Sequence, residues 1–299
     1  MVGALAVAIA SAPGGSSTVP PSPVRTAPLS TAETAAPVAL GHRLRPTARP
    51  CALRGARVLR VLQFNIHFGI ERDSDAVELA ALASEIEAVR PDLVSLNEVD
   101  SGAYRSRRID EAGYLARATG LHAVYGPNLP WQGGRFGNAI LTRSPVVASR
   151  NLRLPGVSGL EPRGLLTTTL GIAGTTVSFS SVHLSDGASG RTSRILQARA
   201  VAAALSHAAY PTIVAGDLNS MPRGLPVRIL RQDLLDAQVY GGSGRGDTIP
   251  EQAPRSRFDY VLYDDRLAVV PGSTRVLPSA SSDHRSVFTE LALLPRRGC

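Results

Sequence analysis

Polar side chains follow buried strands at several points of this sequence, and they are of types that can handle water, metal ions or phosphate. Residues 213–215 are apolar and lead to Gly216, so a buried strand is predicted to end there. Asp217 and Asn219 come next, and this spacing puts both side chains on one face if the strand continues. A carboxylate beside an amide donor is suited to holding a water, a cation or a phosphate oxygen. A simple turn would use the same two residues, so one such site decides nothing.

The pattern recurs, and the recurrence favours a shared site. Asn65 and His67 repeat the two-residue spacing after the apolar run VLRVLQF. Oxygen ligands with few histidines suit a hard cation such as Mg²⁺, and a histidine beside a carboxylate can move a proton or stabilise negative charge. The inventory therefore favours metal-assisted hydrolysis of a phosphate ester. Six apolar runs end or begin at such groups: Asn65, Glu98, His183, Asp217 with Asn219, Asp259, and Asp283 with His284.

The elements that must position these residues are mostly predicted strands, with helices between some of them. Alternating or continuous apolar runs predict the strands, and apolar stripes at helical spacing predict the helices. We expect strands over residues 58–64, 92–96, 138–141, 165–171, 175–182, 213–215, 258–263 and 286–293, with a hairpin around Ala173-Gly174. We expect helices over residues 75–89, 105–119 and 192–209, and loops over residues 127–137 and 240–256.

Composition limits the class of protein more than its substrate. A chain of 299 residues with 43% hydrophobic content can bury the core of one large domain plus an extension. All 32 basic residues are Arg, a bias that coding preference would also produce. The net charge of +8 therefore supports an anionic partner only weakly. The sequence contains no Walker A loop, dinucleotide-binding fingerprint, HExxH or CxxC motif.

The N-terminal part of the chain has a composition unlike the rest. Residues 1–12 are apolar and predict a secretion signal, hence a secreted or extracytoplasmic protein, although a misplaced start codon or an uncleaved anchor would also fit. Residues 13–50 are rich in Pro, Ser, Thr and Ala and are predicted to be a disordered linker, which leaves residues 51–299 as the folded domain. Cys51 and Cys299 flank that domain, where export would allow a disulfide; the alternative is two unrelated thiols.

Seven short motifs occur in an order that resembles a known superfamily. FNIH, LNEVD, GNAIL, VHL, GDLNS, FDYVL and SDH, spread over about residues 58–293, resemble the endonuclease/exonuclease/phosphatase superfamily, which includes nucleases similar to DNase I, neutral sphingomyelinases and inositol phosphate phosphatases. The resemblance implies a DNase I-like α+β fold. This is a four-layer α/β/β/α sandwich of two packed mixed β-sheets, with the site at one end of the sheets.

The resemblance also assigns roles to individual residues. It implies that Glu98 binds the metal directly, with Asn65 and Asp283 nearby, and that Asp217 orients or deprotonates the attacking water. His67 departs from the family pattern and makes a second metal position doubtful. The other implied catalytic residues are Asn219, which bonds to the phosphate or fixes Asp217, His284 at the scissile phosphate, Asp259, which holds His284, and His183, a candidate acid for the leaving group. Asn138, Arg163 and Arg194 match motif or basic positions of the family and are assigned to substrate binding.

The implied activity is hydrolysis of a phosphodiester that requires Mg²⁺ or Mn²⁺, by a monomer without an obligate protein partner. Nucleic acid is favoured by the positive charge and by the cluster Arg105, Arg107 and Arg108, although the sequence shows no aromatic stacking surface interleaved with Arg. A lipid head group is the alternative substrate, and only Trp131 with Phe136 could begin the apolar hairpin that such enzymes use. The same scaffold would also suit a sugar or inositol phosphomonoesterase, or a binding protein without catalytic activity.

Overall fold

The structure is a computed structural model, and it describes residues 55–70 and 77–294. The predicted signal, the linker, Cys51 and Cys299 lie outside the described residues, so the domain boundaries and the disulfide remain predictions. Across the described residues, no helix combines the length and apolar character needed to cross a membrane.

The described chain is built mainly of strands, with short helices between them. A 3₁₀ turn follows the first strand at His67–Gly69. In chain order the elements are β1 (Val58–Asn65), α1 (Leu79–Ala88), β2 (Leu93–Ser101), α2 (Glu111–Thr119), β3 (His122–Trp131), β4 (Gly134–Thr142), β5 (Val146–Arg153), β6 (Gly164–Ile172), β7 (Thr175–His183), α3 (Arg191–Leu205), β8 (Thr212–Asp217), α4 (Leu225–Leu230), β9 (Leu235–Asp236), α5 (Ala237–Gly241), β10 (Asp259–Tyr263), β11 (Leu267–Val269), β12 (Arg275–Leu277) and β13 (Ser286–Leu293).

The strands form two mixed sheets. The first sheet has the order β11-β13-β1-β2-β4-β3, with β12 also paired to β13, and the second has the order β5-β6-β7-β8-β10-β9. Each sheet contains one parallel pair at its centre, β1 with β2 and β7 with β8, and antiparallel pairs elsewhere. Because the two strands of each pair run in the same direction, their carboxyl ends lie side by side at one end of their sheet.

Three apolar clusters show how the layers are stacked. The first cluster joins the inner faces of the two sheets, as between Val61 and Phe179. The second packs α1 and α2 on the outer face of the first sheet, and the third packs α3 and α4 on the outer face of the second. These clusters confirm the predicted four-layer α/β/β/α sandwich of the α+β class.

The inner face of each central strand changes from apolar to polar along its length. In β1, Leu59 and Val61 lie in the cluster between the sheets, whereas Gln63 and Asn65 continue the same face at two-residue spacing. Both are fully buried, and the Asn65 side chain reaches across to Asp217 of the second sheet. The polar end of the layer between the sheets is where the predicted site residues meet.

Two of the predicted elements are wrong, and both lie near that polar end. Residues 127–137, expected to form a loop, instead form most of the β3–β4 hairpin, which turns at Gln132-Gly133, both with positive φ, as a tight two-residue turn requires. Its prolines are tolerated because β3 is an edge strand. The helix expected over residues 105–119 begins only at Glu111, because Asp110 caps it and Arg107 and Arg108 have positive φ.

Further predicted elements are confirmed. The β6–β7 hairpin turns at Ala173-Gly174, both with positive φ, and β13 spans residues 286–293 as predicted. The helix expected over residues 192–209 is α3, which ends at Leu205. Strand β5 has no counterpart among the predicted elements, because most of its side chains are exposed and its sequence has no apolar alternation.

Candidate active site

The candidate site lies where the central strands of both sheets end. Pairing of β7 with β8 puts His183 opposite Asp217, and pairing of β8 with β10 puts Asp259 on the other side of Asp217. Gly216 allows this close pairing, because a Cβ at that position would collide with the carbonyl oxygen of Val182. In the first sheet, β1 ends at Asn65 and β2 carries Glu98 near its end.

Glu98 is directed out of the sheet by an irregularity in β2. The pairing of β2 with β4 shifts register between Leu96 and Val99, and Glu98 has φ 57°. A bulge of this kind redirects a side chain at a strand end. The Glu98 carboxylate accepts a hydrogen bond of 2.9 Å from Asn65 Nδ2. Burial raises the pKa of Glu98, and the charge of Asp283 raises it further, whereas the Asn65 hydrogen bond lowers it.

Asp217 is the residue on which most site contacts converge. It is buried, its Oδ2 accepts a 3.2 Å hydrogen bond from Asn65 Nδ2, and its Oδ1 accepts one of 2.8 Å from the Asn219 backbone. The Nε2 atoms of His183 and His284 lie 3.6 Å and 3.8 Å from Asp217 Oδ2. Burial raises the pKa of Asp217 to about 7, and the charge of Asp259 acts in the same direction.

His284 is fixed by a carboxylate behind it. Its Nδ1 lies 2.8 Å from Asp259 Oδ2, which also accepts a hydrogen bond of 2.6 Å from the Thr248 hydroxyl. Burial alone would lower the pKa of His284, but the charge and hydrogen bond of Asp259 raise it to about 10. His284 is thus a positively charged imidazolium at neutral pH, with Nε2 directed toward Asp217.

His183 has the opposite electrostatic environment. Its Nδ1 lies 3.0 Å from the Arg163 guanidinium, and its Nε2 lies 3.0 Å from the amide nitrogen of Asn219. Because Arg163 can only donate, His183 Nδ1 must be unprotonated. Burial lowers the pKa of His183 well below its ordinary value, and the charge of Arg163 lowers it further. The ring is therefore neutral, which disfavours the predicted role of acid for the leaving group.

The predicted substrate-binding residues lie behind the site. Both ends of the buried Asn138 amide are bonded within the protein, to Asn97 and to the carbonyl of Gly164. Arg163 is buried against His183, and Arg194 donates to the carbonyls of Ser185 and Gly187. These contacts favour positioning of the site over direct contact with substrate. Asp283 is linked to the site by its charge near Glu98 and His284.

Sequence reasoning missed the buried layer that supports the site. Asn97 accepts hydrogen bonds from Gln63 and from the Asp217 backbone, and donates to Asn138, Ser181 and the carbonyl of Val182. The sequence feature that could have identified Asn97 is a polar amide at an inward-facing position of a strand that is otherwise buried. Thr248, within the loop predicted over residues 240–256, had no such signal.

The two-residue polar pairs do not arise from strand geometry, contrary to expectation. Strands β1 and β8 end at Asn65 and Asp217, and His67 and Asn219 have positive φ of 47° and 45°. The chain therefore turns after each first residue instead of continuing extended. Such conformations cost free energy and cluster at functional sites. The turn lets the Asn219 side-chain amide donate to the Leu184 carbonyl and brings its nitrogen to 3.0 Å from His183 Nε2.

Among the described residues, two groups of side chains have the chemistry to hold a cation. Asp217, Asp259 and His284 each offer one ligand atom within 4.8 Å of one another, so this buried group could hold a metal ion. Coordination by His284, however, needs an unprotonated nitrogen, and Asp259 favours the protonated ring. The partly exposed carboxylates of Glu98 and Asp283, whose charges act on each other, fit a hard cation better because both offer oxygen ligands.

Known proteins share both the sequence pattern and the fold. The model of the Endonuclease/Exonuclease/phosphatase family matches residues 62–284. The uncharacterised protein YbhP of Escherichia coli is 28% identical over 249 residues, which cover 78% of this chain and 96% of YbhP. A solved endonuclease/exonuclease/phosphatase from Beutenbergia cavernae is 27% identical with a TM-score of 0.63, and the match covers 79% of this chain and 72% of that one.

A more distant structure shows the same fold. The human Nocturnin catalytic domain, solved with a bound sulfate anion, has a TM-score of 0.62 at 23% identity, and the match covers 78% of this chain and 93% of that one. The family match extends over most of the chain and includes every strand end described above. This chain belongs to the endonuclease/exonuclease/phosphatase family, whose members are hydrolases of phosphate esters and are generally dependent on a divalent metal.

Proposed function

We propose that this protein is a phosphodiesterase that hydrolyses its substrate with a divalent cation, Mg²⁺ or Mn²⁺. The observation that carries the proposal is the arrangement around Asp217. This buried carboxylate lies between a charged and a neutral histidine and shares the Asn65 amide with Glu98. A proton acceptor (Asp217), a fixed positive charge (His284) and a carboxylate that can hold a cation (Glu98) are thus side by side.

Each of these groups has a role that its contacts support. Asp217 accepts a proton from the attacking water and orients that water, while Asn219 holds the Asp217 carboxylate through a backbone hydrogen bond. The charged His284, held by Asp259, stabilises the negative charge that develops on the phosphoryl oxygens. His183 is a neutral hydrogen-bond partner for the phosphate, in the tautomer that Arg163 selects.

The cation would be held by Glu98, with Asn65 and Asp283 at its side. When bound, it polarises a phosphoryl oxygen as a Lewis acid and offsets developing negative charge. The protein's own contribution there is to fix the Glu98 carboxylate through Asn65, whose amide also bonds to Asp217. One amide thereby sets the cation ligand and the proton acceptor relative to each other.

The proposal can be tested with small chromogenic substrates. We expect the purified full-length protein to hydrolyse bis(p-nitrophenyl) phosphate faster than p-nitrophenyl phosphate when Mg²⁺ or Mn²⁺ is added, and to lose this activity in EDTA. His284→Ala, purified in parallel, controls for a contaminating host enzyme. Full activity in chelator after exhaustive dialysis contradicts the metal requirement. Preference for the monoester supports a phosphomonoesterase instead, and no hydrolysis with either cation supports an inactive binding protein.

We further propose that the protein is exported and acts as a monomer. The support for export is the apolar composition of residues 1–12, followed by the Pro- and Ser-rich stretch over residues 13–50. N-terminal sequencing of protein from the culture medium of its native host tests export. Thiol titration of the same protein tests the Cys51–Cys299 disulfide, which two reactive thiols would refute.

A further inference from the structure

Aromatic side chains from three separate elements converge on one arginine beside the candidate site. The Arg105 guanidinium lies 3.6 Å from the centre of the Phe68 ring, 5.0 Å from that of Phe136 and 5.5 Å from that of Trp131. Asp100 fixes Arg105 through two hydrogen bonds. The neighbouring Tyr104 has the Arg108 guanidinium 4.0 Å from its ring centre. We call Phe68, Tyr104 and Trp131 the aromatic rim.

Topology puts the aromatic rim at the edge of the sheet that carries the site. Phe68 follows Asn65 in the turn after β1, and its ring contacts the His67 ring with centres 4.1 Å apart. Because β4 is antiparallel to β2, the Gln132-Gly133 turn lies at the end of the first sheet where Glu98 is found. Trp131 is the last residue of β3 before this turn.

Tyr104 is exposed yet held in place. The residue is 62% exposed, a large value for an aromatic residue. Its backbone nitrogen donates to the carbonyl of Gln132, and its ring lies against Gly133, where a Cβ would be 2.8 Å from a ring carbon. Gly133 has φ 79°, so the turn both requires glycine and leaves room for the ring. An exposed ring that is fixed before binding loses little entropy when it stacks on a ligand.

Most of the exposed charged side chains next to Tyr104 and Trp131 are arginines. Arg107, Arg108 and Arg135 are exposed there, whereas Asp100 is buried and paired with Arg105. Asp110, which follows these arginines in the sequence, caps α2. Rings interleaved with arginines fit a ligand in which planar groups alternate with negative charges. The bases and phosphates of a nucleic acid strand alternate in this way. A lipid surface would instead require exposed apolar side chains, and Phe136 is only 6% exposed.

We propose that the aromatic rim binds bases of single-stranded nucleic acid that flank the phosphate at the active site. This inference rests on the proposed phosphodiesterase function and names its substrate class. Bases stack on Tyr104 and Trp131, while Arg108 and Arg135 contact the backbone phosphates. The aromatic stacking surface that the sequence did not show is thus assembled by the fold.

Binding of a labelled oligothymidylate of about 12 nucleotides, measured by fluorescence anisotropy in EDTA, tests the inference without catalysis. We expect Tyr104→Ala to weaken binding by roughly 5- to 100-fold, the usual loss for one stacked base. Tyr104→Phe keeps the ring and should bind like the wild type. Tyr210→Ala is the matched control, because Tyr210 is also exposed but precedes β8, at the end of the strand away from Asp217.

A second variant tests the contribution of charge. Arg108→Gln should reduce the slope of log affinity against log salt by about 0.7, the value for one phosphate contact on a single strand. Failure of the wild type to bind the oligonucleotide at low salt overturns the inference. An equal loss of affinity in Tyr104→Ala and Tyr104→Phe also overturns it. So does unchanged affinity in Tyr104→Ala together with an unchanged salt slope in Arg108→Gln. In those cases hydrolysis of bis(p-nitrophenyl) phosphate by the wild type still decides the proposed function separately.

Discussion

The two ends of the layer between the sheets are built by the same strands but filled with opposite chemistry. At one end Val61, Phe179 and Ile213 pack as an apolar core. At the other end the same strand faces carry Gln63, Asn97 and Asp217, all buried and joined by hydrogen bonds. The sandwich thus changes from a hydrophobic core to a polar network without a change of backbone architecture.

This difference separates what stabilises the protein from what makes it active. Burial of apolar area stabilises the apolar end, because hydrophobic transfer is favourable there. The polar end must satisfy each buried donor and acceptor, and burial there raises the pKa of Asp217 and of Glu98. Substitutions at the two ends should therefore have different consequences.

The largest expected effect is at the apolar end. Phe179→Ala removes a fully buried ring between the sheets and should lower the free energy of unfolding by about 3–5 kcal/mol. The kcat of the protein that remains folded should be unchanged, because the ring is far along β7 from His183. Urea unfolding with parallel assays per folded molecule measures both. A large loss of kcat in folded Phe179→Ala would show that the two ends are coupled.

The next effect is at the polar end, where activity should change most. Asp217→Ala and His284→Ala should each lower kcat by roughly 10²-fold or more, because each removes an acid–base or electrostatic group. Asp264→Asn is a matched control for the first, since Asp264 is also a buried carboxylate and accepts a hydrogen bond from the Thr212 backbone at the other end of β8. It should keep full kcat. Wild-type turnover in Asp217→Ala or His284→Ala would remove that residue from the mechanism.

Substitution of Asn97 tests whether the buried hydrogen-bond network contributes to stability as well as to activity. Asn97→Ala leaves Gln63 and the Asp217 backbone nitrogen without this partner, so the free energy of unfolding should fall by about 1–3 kcal/mol. The kcat should fall as well, because Asp217 loses its fixed position. Thermal unfolding and steady-state kinetics on the same preparation check the pair of changes. A loss of stability with intact kcat would reduce Asn97 to a purely structural residue.

The smallest expected effect sharpens the comparison by testing a buried carboxylate outside the site. Glu111 accepts a hydrogen bond from the Asp100 backbone, and burial raises the pKa of Glu111 well above its ordinary value. The folded state therefore holds this proton more tightly than the unfolded chain. The resulting stability is present below the unfolded pKa and is lost as pH rises through the folded pKa.

Glu111→Gln keeps an acceptor and removes the charge. Its advantage over the wild type in the free energy of unfolding should grow over the range in which pH rises above the ordinary carboxyl pKa of about 4.3, by about 1.4 kcal/mol for each unit of raised pKa. Calorimetric scans across this range give the measurement. An advantage that shrinks with rising pH contradicts the raised pKa of Glu111.

Much of the fold and of the site was predictable from local patterns. The β6–β7 hairpin was predicted because Ala173-Gly174 separates two strand patterns and can adopt positive φ. The polar residues at the ends of apolar runs were predicted as one site, and the structure brings Asn65, Glu98 and Asp217 into a hydrogen-bonded group. The β3–β4 hairpin was missed because its prolines argue against a strand. They are tolerated here because β3 is an edge strand, which no local pattern shows.

By itself, the sequence determined which side chains can do chemistry and that they stand at or near the ends of strands. Tertiary structure decided their electrostatic state: Arg163 lies against His183 and Asp259 against His284, so two histidines of equal intrinsic pKa become one neutral and one charged ring. It also decided that Phe68, Arg105 and Trp131 meet. The physical reason is that strand periodicity depends on near neighbours, whereas burial and charge depend on residues that only sheet pairing and packing bring into contact.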